Sequence, residues 1–405
     1  MTNFSRFMIA KTFSGLYFAI PIQTIFLFKL GLSFNEIMLC QAAMLFAMLL
    51  FEIPTGILGD RFGRRNSLII GEAVNLISWI PWFMGWYMYQ VNFYPFALAS
   101  FFIYGIMLAF TSGSDDALIY DDLKARGKKE LAQKYYGYYR GAGVLSLGVA
   151  GLIGGFMSVS HTLESFWLSY LATFIAQIVG FLLLFTVREP KRSNEGENIK
   201  HKPERVLNLF KDGLKLIRNS PSLKRITIFS MLVAPFSFIL ASIIQPYYEL
   251  VGVPNSWWGV AIFAGSVLTF FAKTNAYRIE SWFGVDKGMI IVTILPAITY
   301  ALMSVVFNPI LAVVLYVLTD AFGNLRDPII TDYKNQHIKS YNRATVLSTI
   351  YIISGVYAVL IRPVIGNLTD YSVSLAFGVI AAIFIFSLIF FPIKKEHVRF
   401  ANDLK

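Results

Sequence analysis

Cysteine is almost missing from the 405 residues: Cys40 stands alone inside an apolar stretch, so neither a disulfide framework nor a cysteine-based metal site can form within one chain. Histidine is scarce as well. His161, His201, His337 and His397 are scattered without ligand spacing and read as solvated loop residues, so no metal is expected. There is no Walker-type phosphate loop, HExxH pair, serine nucleophile elbow or Cys/His couple, which argues against an enzyme and against a nucleotide or other cofactor. Charge is the third shortage. Only 15% of residues are charged, where a soluble domain carries about a quarter.

What fills the space is apolar: 56% of the chain is hydrophobic. A helix needs roughly 20 apolar residues to cross a hydrocarbon core of about 30 Å. An all-α integral membrane protein is therefore expected, with twelve spans and short loops. Apolar runs broken by charge, Gly or Pro place the spans near 7–29, 36–58, 67–89, 95–120, 135–158 and 165–187, then near 222–247, 257–275, 288–306, 310–331, 343–366 and 373–393. The first run is followed by Lys29-Leu30-Gly31-Leu32 rather than a small-residue cleavage site, and reads as a span rather than a signal peptide. The net charge of +11 comes from short clusters between the runs, not from a basic domain, so it marks topology and not nucleic-acid binding. Arg61, Arg64 and Arg65, then Lys124–Lys134, Arg188–Arg225, Arg278 with Lys287, Lys334–Arg343 and the tail from Lys394 all fall on one side, with Lys29 on the other. That asymmetry puts both termini in the cytoplasm, in a plasma membrane of the bacterial cytoplasmic kind. Aromatic groups at Trp82–Tyr94, Tyr247–Tyr248 and Trp257–Trp258 are expected to form an interfacial belt at the opposite ends.

The chain divides near its middle. Residues 1–187 and 222–405 read as two six-helix bundles, and 188–221 as a cytoplasmic linker in which Val206, Leu207, Phe210, Leu214 and Ile217 give an amphipathic helix from Glu204 to Ile217. The halves resemble each other. Asp116-Ala-Leu-Ile-Tyr-Asp121 matches Asp327-Pro-Ile-Ile-Thr-Asp332, Gly155 falls on Gly366 at the same offset, and Gly31 has a counterpart in Gly252. A duplicated six-helix unit follows.

Between the second and third spans stands Gly56-Ile-Leu-Gly-Asp60-Arg61-Phe-Gly63-Arg64-Arg65. Gly56 and Gly63 permit close helix approach and a tight turn, while Asp60 and the arginines gather charge at the membrane surface. The segment resembles the G-x-x-x-D-R-x-G-R-R signature of the major facilitator superfamily of transporters, complete at every defining position. The resemblance implies that fold: twelve transmembrane helices in two pseudo-symmetric bundles. It also implies a conformational latch, in which Asp60 faces the amino end of the eleventh helix around Asn342 and Arg343, and Arg64 pairs with Asp121 or Asp122. The second half keeps Glu280, Gly284 and basic residues at the matching loop without the motif, so the latch is one-sided. Span five carries Gly141, Gly143, Gly148, Gly151, Gly154 and Gly155 and resembles the glycine-rich antiporter motif, but Ala150-Gly151 stands where Gly-Pro belongs; helix packing accounts for these small residues.

Ionisable groups within spans are costly and so become candidates for coupling. Glu52 lies in span two. Asp115 and Asp116 enter span four and Arg140 enters span five to a similar depth, so Arg140 is expected to pair with one carboxylate and leave the other to exchange a proton. In the second half Asp320 is the deepest acid, with Arg326 or Arg362 as its expected partner and Asp327 lower down. Lys11 reads as a residue snorkelling to the surface. Gln23, Gln41, Asn75, Gln245, Asn324, Tyr104 and Tyr357 are available to a substrate. The function implied is secondary active transport by a monomer, with protons and a small-molecule substrate as partners, preferably export of an organic compound or drug as in the drug:proton antiporter branch. The alternatives are uptake of a nutrient or organic anion and, from a different class, a non-transporting membrane sensor.

Overall fold

The computed structural model describes residues 2–88, 92–128, 131–160, 162–190, 203–338 and 343–398. Fifteen α-helices and no strands occur among them. In chain order they are α1 (Asn3–Ser14), α2 (Gln23–Lys29), α3 (Phe34–Phe62), α4 (Arg64–Met88), α5 (Tyr94–Thr111), α6 (Ser114–Ala125), α7 (Ala132–Met157) and α8 (Leu163–Leu184). After them come α9 (Pro203–Asn219), α10 (Pro221–Val233), α11 (Pro235–Val251), α12 (Ser256–Met303), α13 (Pro309–Gln336), α14 (Arg343–Tyr371) and α15 (Val373–Phe390).

Helices and spans do not correspond one to one, and the local chemistry explains why. Span one breaks between α1 and α2, where Gly15 ends the first helix. Span four breaks between α5 and α6 at Ser112-Gly113, because Gly113 sits in the left-handed region (φ 70°) that a chiral residue avoids. Pro235 opens α11 and lacks the N–H that would continue α10. The reverse happens at α12. Its 48 residues would extend about 72 Å if straight, more than twice a hydrocarbon core, and Gly284 (φ 73°, ψ 175°) turns it midway into spans eight and nine. Counted this way, twelve spans form a major-facilitator architecture with two related halves.

Two compact units result: residues 1–200 with 255–263, and residues 201–254 with 264–405. Lipid supplies no hydrophobic drive between helices, so each unit depends on close packing and interhelical hydrogen bonds. In the first unit a Cβ on Gly105 of α5 would collide with the Met44 carbonyl oxygen of α3, so only glycine permits this approach. Hydrogen bonds add to it: Trp79 Nε1 to Gln177 Oε1 at 2.7 Å, Ser100 Oγ to the Ser78 carbonyl at 2.7 Å, and Thr55 Oγ1 to the Ala109 carbonyl at 3.0 Å. In the second unit Tyr247 Oη donates to the Val306 carbonyl at 2.6 Å and Tyr300 Oη to the Phe236 carbonyl at 3.0 Å.

Two expectations change. The belt aromatics mostly point inward: Trp82, Tyr247, Tyr248 and Trp258 are buried, and Trp82 sits among Phe26, Phe93 and Tyr170. Among the described residues of these groups, Tyr87 and Trp257 are exposed. The reason is packing, since a large ring in a helix interface gains more contact than at a headgroup surface. The linker helix is present as α9, where Ile217 is buried against Leu223, Ile338, Val346 and Ile350, so its apolar side packs on protein at this end. The side chains of Val206 and Leu207 lie outside the described residues.

Candidate functional site

At the signature loop the chain must reverse between α3 and α4. Gly63 does this with φ 101° and ψ 151°, a region that is essentially glycine-only. A carboxylate sits over the turn. Glu189 Oε1 accepts the Arg64 backbone N–H at 2.9 Å and Oε2 that of Arg65 at 2.7 Å, satisfying first-turn donors of α4 with negative charge where the helix dipole favours it. Arg65 fastens the same strand of chain with its side chain: Nε donates to the Val187 carbonyl at 2.6 Å and Nη2 to the Phe185 carbonyl at 3.0 Å. The Arg64 guanidinium lies beside Gly59, its Nη1 3.4 Å from where a Cβ would stand. Arg61 is exposed and lies over Phe62. Of the two acids expected for Arg64, Asp122 has partners of its own: its Oδ1 accepts from Asn3 Nδ2 of α1 and from Arg126 Nη2 at the end of α6, each at 3.0 Å. Asp121 neighbours Tyr136. Gly56 makes no close approach, since a Cβ there would meet nothing within 4 Å. The Asp60 side chain, Asn342 and the Arg343 side chain lie outside the described residues.

Deeper in the first unit the break in span four sets the chemistry. Glu52 on α3 braces it, with Ser112 Oγ donating to Glu52 Oε1 at 2.9 Å while Oε2 is buried without a partner. Just past the break, Asp115 Oδ1 accepts the Asp116 N–H at 2.8 Å in the first turn of α6. Arg140 Nη2 lies 2.5 Å from Asp116 Oδ2. The structure therefore brings Arg140 and Asp116 together and leaves Asp115 facing open space, on the wall of a cavity of about 570 Å³ with Arg140, Gln23, Gln41, Asn75 and Tyr104. A smaller cavity of about 120 Å³ adjoins it, and Lys11, Ser14, Asn75, Tyr104, Tyr139 and Gln177 belong to both walls.

Two residues here were misjudged or missed in the sequence. Lys11 does not snorkel; it lines both cavities, with Nζ 5.2 Å over the Tyr139 ring. Gly143 on α7 makes room for it, since a Cβ there would lie 3.3 Å from Lys11 Cε. Glu72 of α4 lines the smaller cavity, and its Oε2 accepts from Asn75 Nδ2 at 3.0 Å. Its signal was a lone acid in an apolar run, three residues before an asparagine and so on the same helix face. Glu189 carries no signal in the sequence, because it stands at the start of a polar segment, where an acid is unremarkable.

In the second unit the expected ion pair is not made. Asp320 takes hydroxyl and amide partners: Thr269 Oγ1 donates to Oδ2 at 2.8 Å and Asn324 Nδ2 to Oδ1 at 3.2 Å. Arg326 is buried, donates from Nη2 to the Val233 carbonyl at 2.9 Å and lies over the Phe384 ring. Arg362 is buried and donates from Nη1 to Ala358 of its own helix at 3.3 Å. Both arginines leave α13 and α14 on faces other than the one Asp320 uses. Asp327 lies 3.8 Å from Lys273 Nζ and 3.9 Å from Arg326 Nε. Gln245 and Asn324 donate to carbonyls of their own helices.

Comparison with known proteins agrees with this architecture. A sequence model of the Major Facilitator Superfamily matches residues 2–319, and the chain belongs to that family of membrane transporters. It is 20% identical over 396 residues to an uncharacterized MFS-type transporter, YxaM, of Bacillus subtilis (strain 168), covering 95% of this chain and 93% of that one. Among solved structures it resembles the nucleoside transporter NupG, with a TM-score of 0.75 at 13% identity over 96% of this chain and 98% of the other. A D-xylose-proton symporter matches with a TM-score of 0.69 at 15% identity, over 97% and 99% of the two chains. A bacterial homologue of the human lysosomal transporter Spinster gives 0.68 at 15% identity, over 96% and 94%. At these identities the likeness concerns the fold. The chain is a multi-pass secondary transporter and the transported solute is a small molecule.

Proposed function

We propose that the protein couples proton movement to transport of a small organic compound by alternating access, as a monomer with both termini on the cytoplasmic side of a bacterial plasma membrane. The observation that carries this reading is the arrangement at the cavity wall: Arg140 is held by Asp116, and Asp115 is left on the wall of a large cavity among the apolar helices of the first unit. A carboxylate in that position can take up and release a proton as the space opens to either side. The signature loop, with Glu189 locked over Gly63, is the element that stabilises one conformation. Export is the preferred direction on the overall resemblance alone, since span five departs from the antiporter motif at Ala150-Gly151. A second reading, uptake of a hydrophilic nutrient, draws support from the amide-rich lining contributed by Gln23, Gln41, Asn75 and Gln177.

Purified protein in liposomes with an imposed pH gradient tests the reading. Solute flux should follow the gradient, and its sign against proton flow separates exchange from co-transport. Asp115→Asn should retain solute counterflow and lose the pH-driven component. If Asp115→Asn and Asp116→Asn both keep full gradient-driven flux, the proton role assigned to this pair is wrong.

A further inference from the structure

We propose that the smaller cavity of the first unit is a binding subsite for the zwitterionic head of an amino-acid-like solute, with Glu72 taking the ammonium and Lys11 the carboxylate. This rests on the transport reading only in making the subsite part of the solute's path.

The charges in this cavity are balanced but not joined. Among the described residues Lys11 Nζ has no carboxylate within 4 Å, and Glu72 has no cation within that distance, although both line the same space. Lysine has the flexible stem to close an internal ion pair, yet here the stem lies along Gly143 and the ammonium is held over Tyr139. The groups facing Glu72 are Asn75 from its own helix, Lys11 and Ser14 from α1, Tyr104 from α5 and Tyr139 from α7. None of them brings a positive charge into contact with it. Arg140 is engaged by Asp116 and does not line this cavity; Asp115 does not line it either, but stands on the wall of the larger one within reach of the Lys11 charge. The wall of the smaller cavity thus carries one cation, Lys11, and one anion, Glu72, which feel each other's charge without being paired.

That geometry selects by charge. An organic anion would satisfy Lys11 and meet repulsion from Glu72; an organic cation would do the reverse; a sugar would leave both charges without a counter-charge in a site removed from bulk water. A group carrying both signs satisfies both with charge-assisted hydrogen bonds, roughly twice as strong as neutral ones. The space suffices. At about 30 Å³ of liquid volume per water, a cavity of about 120 Å³ has room for about four waters, comparable to the ammonium, α-carbon and carboxylate of an amino-acid head. The larger cavity beyond, walled by Trp79, Trp82 and Phe101, accepts an apolar or aromatic body.

Tryptophan fluorescence of the full-length protein in detergent reads occupancy directly, because Trp79 and Trp82 line the adjoining space. The probes are L-phenylalanine, its single-charge analogues 2-phenylethylamine and 3-phenylpropionate, and the neutral solutes uridine and D-xylose. L-phenylalanine should give a saturable change at least about tenfold tighter than any of the others. Glu72→Gln should weaken L-phenylalanine about tenfold while leaving 3-phenylpropionate unaffected or tighter, and Lys11→Met should do the same with 2-phenylethylamine as the spared ligand. A merely structural loss would weaken all probes together, and that result overturns the assignment. So does a neutral or singly charged probe binding as tightly as L-phenylalanine to the unaltered protein, or no saturable response to L-phenylalanine up to its solubility. Gradient-driven flux in liposomes stands or falls independently: a protein that moves another solute with protons and ignores L-phenylalanine loses this subsite and keeps the transport reading.

Discussion

The two halves solve one mechanical problem with the roles of donor and acceptor exchanged. In the first, Gly63 turns the chain between spans two and three, and an acid from the end of span six, Glu189, accepts N–H groups of the turn. In the second, Gly284, 221 residues on, makes the equivalent turn between spans eight and nine, and an acid within the turn, Asp286, accepts the Lys395 N–H from beyond span twelve at 2.6 Å. Gly31 and Gly252 are separated by the same interval, and both have positive φ at the ends of spans one and seven. Duplication has kept the places where backbone must bend and let the side-chain fastenings diverge. Backbone geometry leaves only glycine as a choice, whereas a hydrogen bond can be made from either side.

The halves also differ where the repeated acids fall. Asp116 stands just past a broken helix and holds Arg140; its counterpart Asp327 lies inside the unbroken α13, about half exposed, with Lys273 at 3.8 Å. The largest contrast is expected here. Asp116→Asn should lower pH-driven flux by more than about tenfold, a loss of about 1.4 kcal/mol or more in the rate-determining state, and Asp327→Asn by less than about twofold, since an exposed pair is screened. Equal losses would mean that the break in span four does not set the coupling site.

Next in size is the turn itself. Gly63→Ala meets both the forbidden backbone region and the Glu189 carboxylate, whose atoms would lie 3.0 Å from the new Cβ. It should cost about 2–4 kcal/mol, against about 1–3 for Gly284→Ala, where nothing lies within 4 Å. Thermal melts in detergent check the difference. Glu189→Ala should cost about 1 kcal/mol, the loss of a cap on two exposed first-turn donors that water can then reach, and Asp286→Ala about half as much, because it caps one.

The smallest effect is a pH dependence confined to the second half. His397 lies beyond α15, where burial, aided by Arg225 nearby, holds its imidazole below its ordinary value of 6.5. In the neutral form Nδ1 accepts the Lys394 N–H at 3.0 Å. The sign follows: a folded pKa below the unfolded one gives stability that is present above 6.5 and is lost as the pH falls through the lowered value. Melting temperature should drop slightly more on acidification in the wild type than in His397→Gln.

Much of this was legible in the sequence, and the remainder fails for identifiable reasons. Length and apolarity fix the spans, and the signature fixes the family, because the first is a pattern over the whole chain and the second a contiguous motif, and neither depends on how helices rotate against one another. The break at Gly113 has a local signal in Thr111-Ser112-Gly113-Ser114, concealed by the long apolar run before it and by the resumption of apolar residues at Ala117–Tyr120. Arg140 and Asp116 could be matched because each stood at the same depth on neighbouring spans. Asp320 could not be assigned, because Arg326 and Arg362 are at plausible depths and helix rotation sends them to Val233 and Ala358. Rotation about a helix axis is set by neighbours, which one sequence does not reveal. Glu72 was overlooked for the opposite reason: its partner across the cavity is one it does not touch.

Glu189 is followed by Pro190, the last described residue before the segment leading toward α9. The tether between the halves thus begins at the carboxylate clamped on the signature turn. Holding Glu189 on the turn therefore also fixes the point at which the polar segment departs from the first unit, so that one side chain sets both the reversal before span three and the exit of the chain after span six.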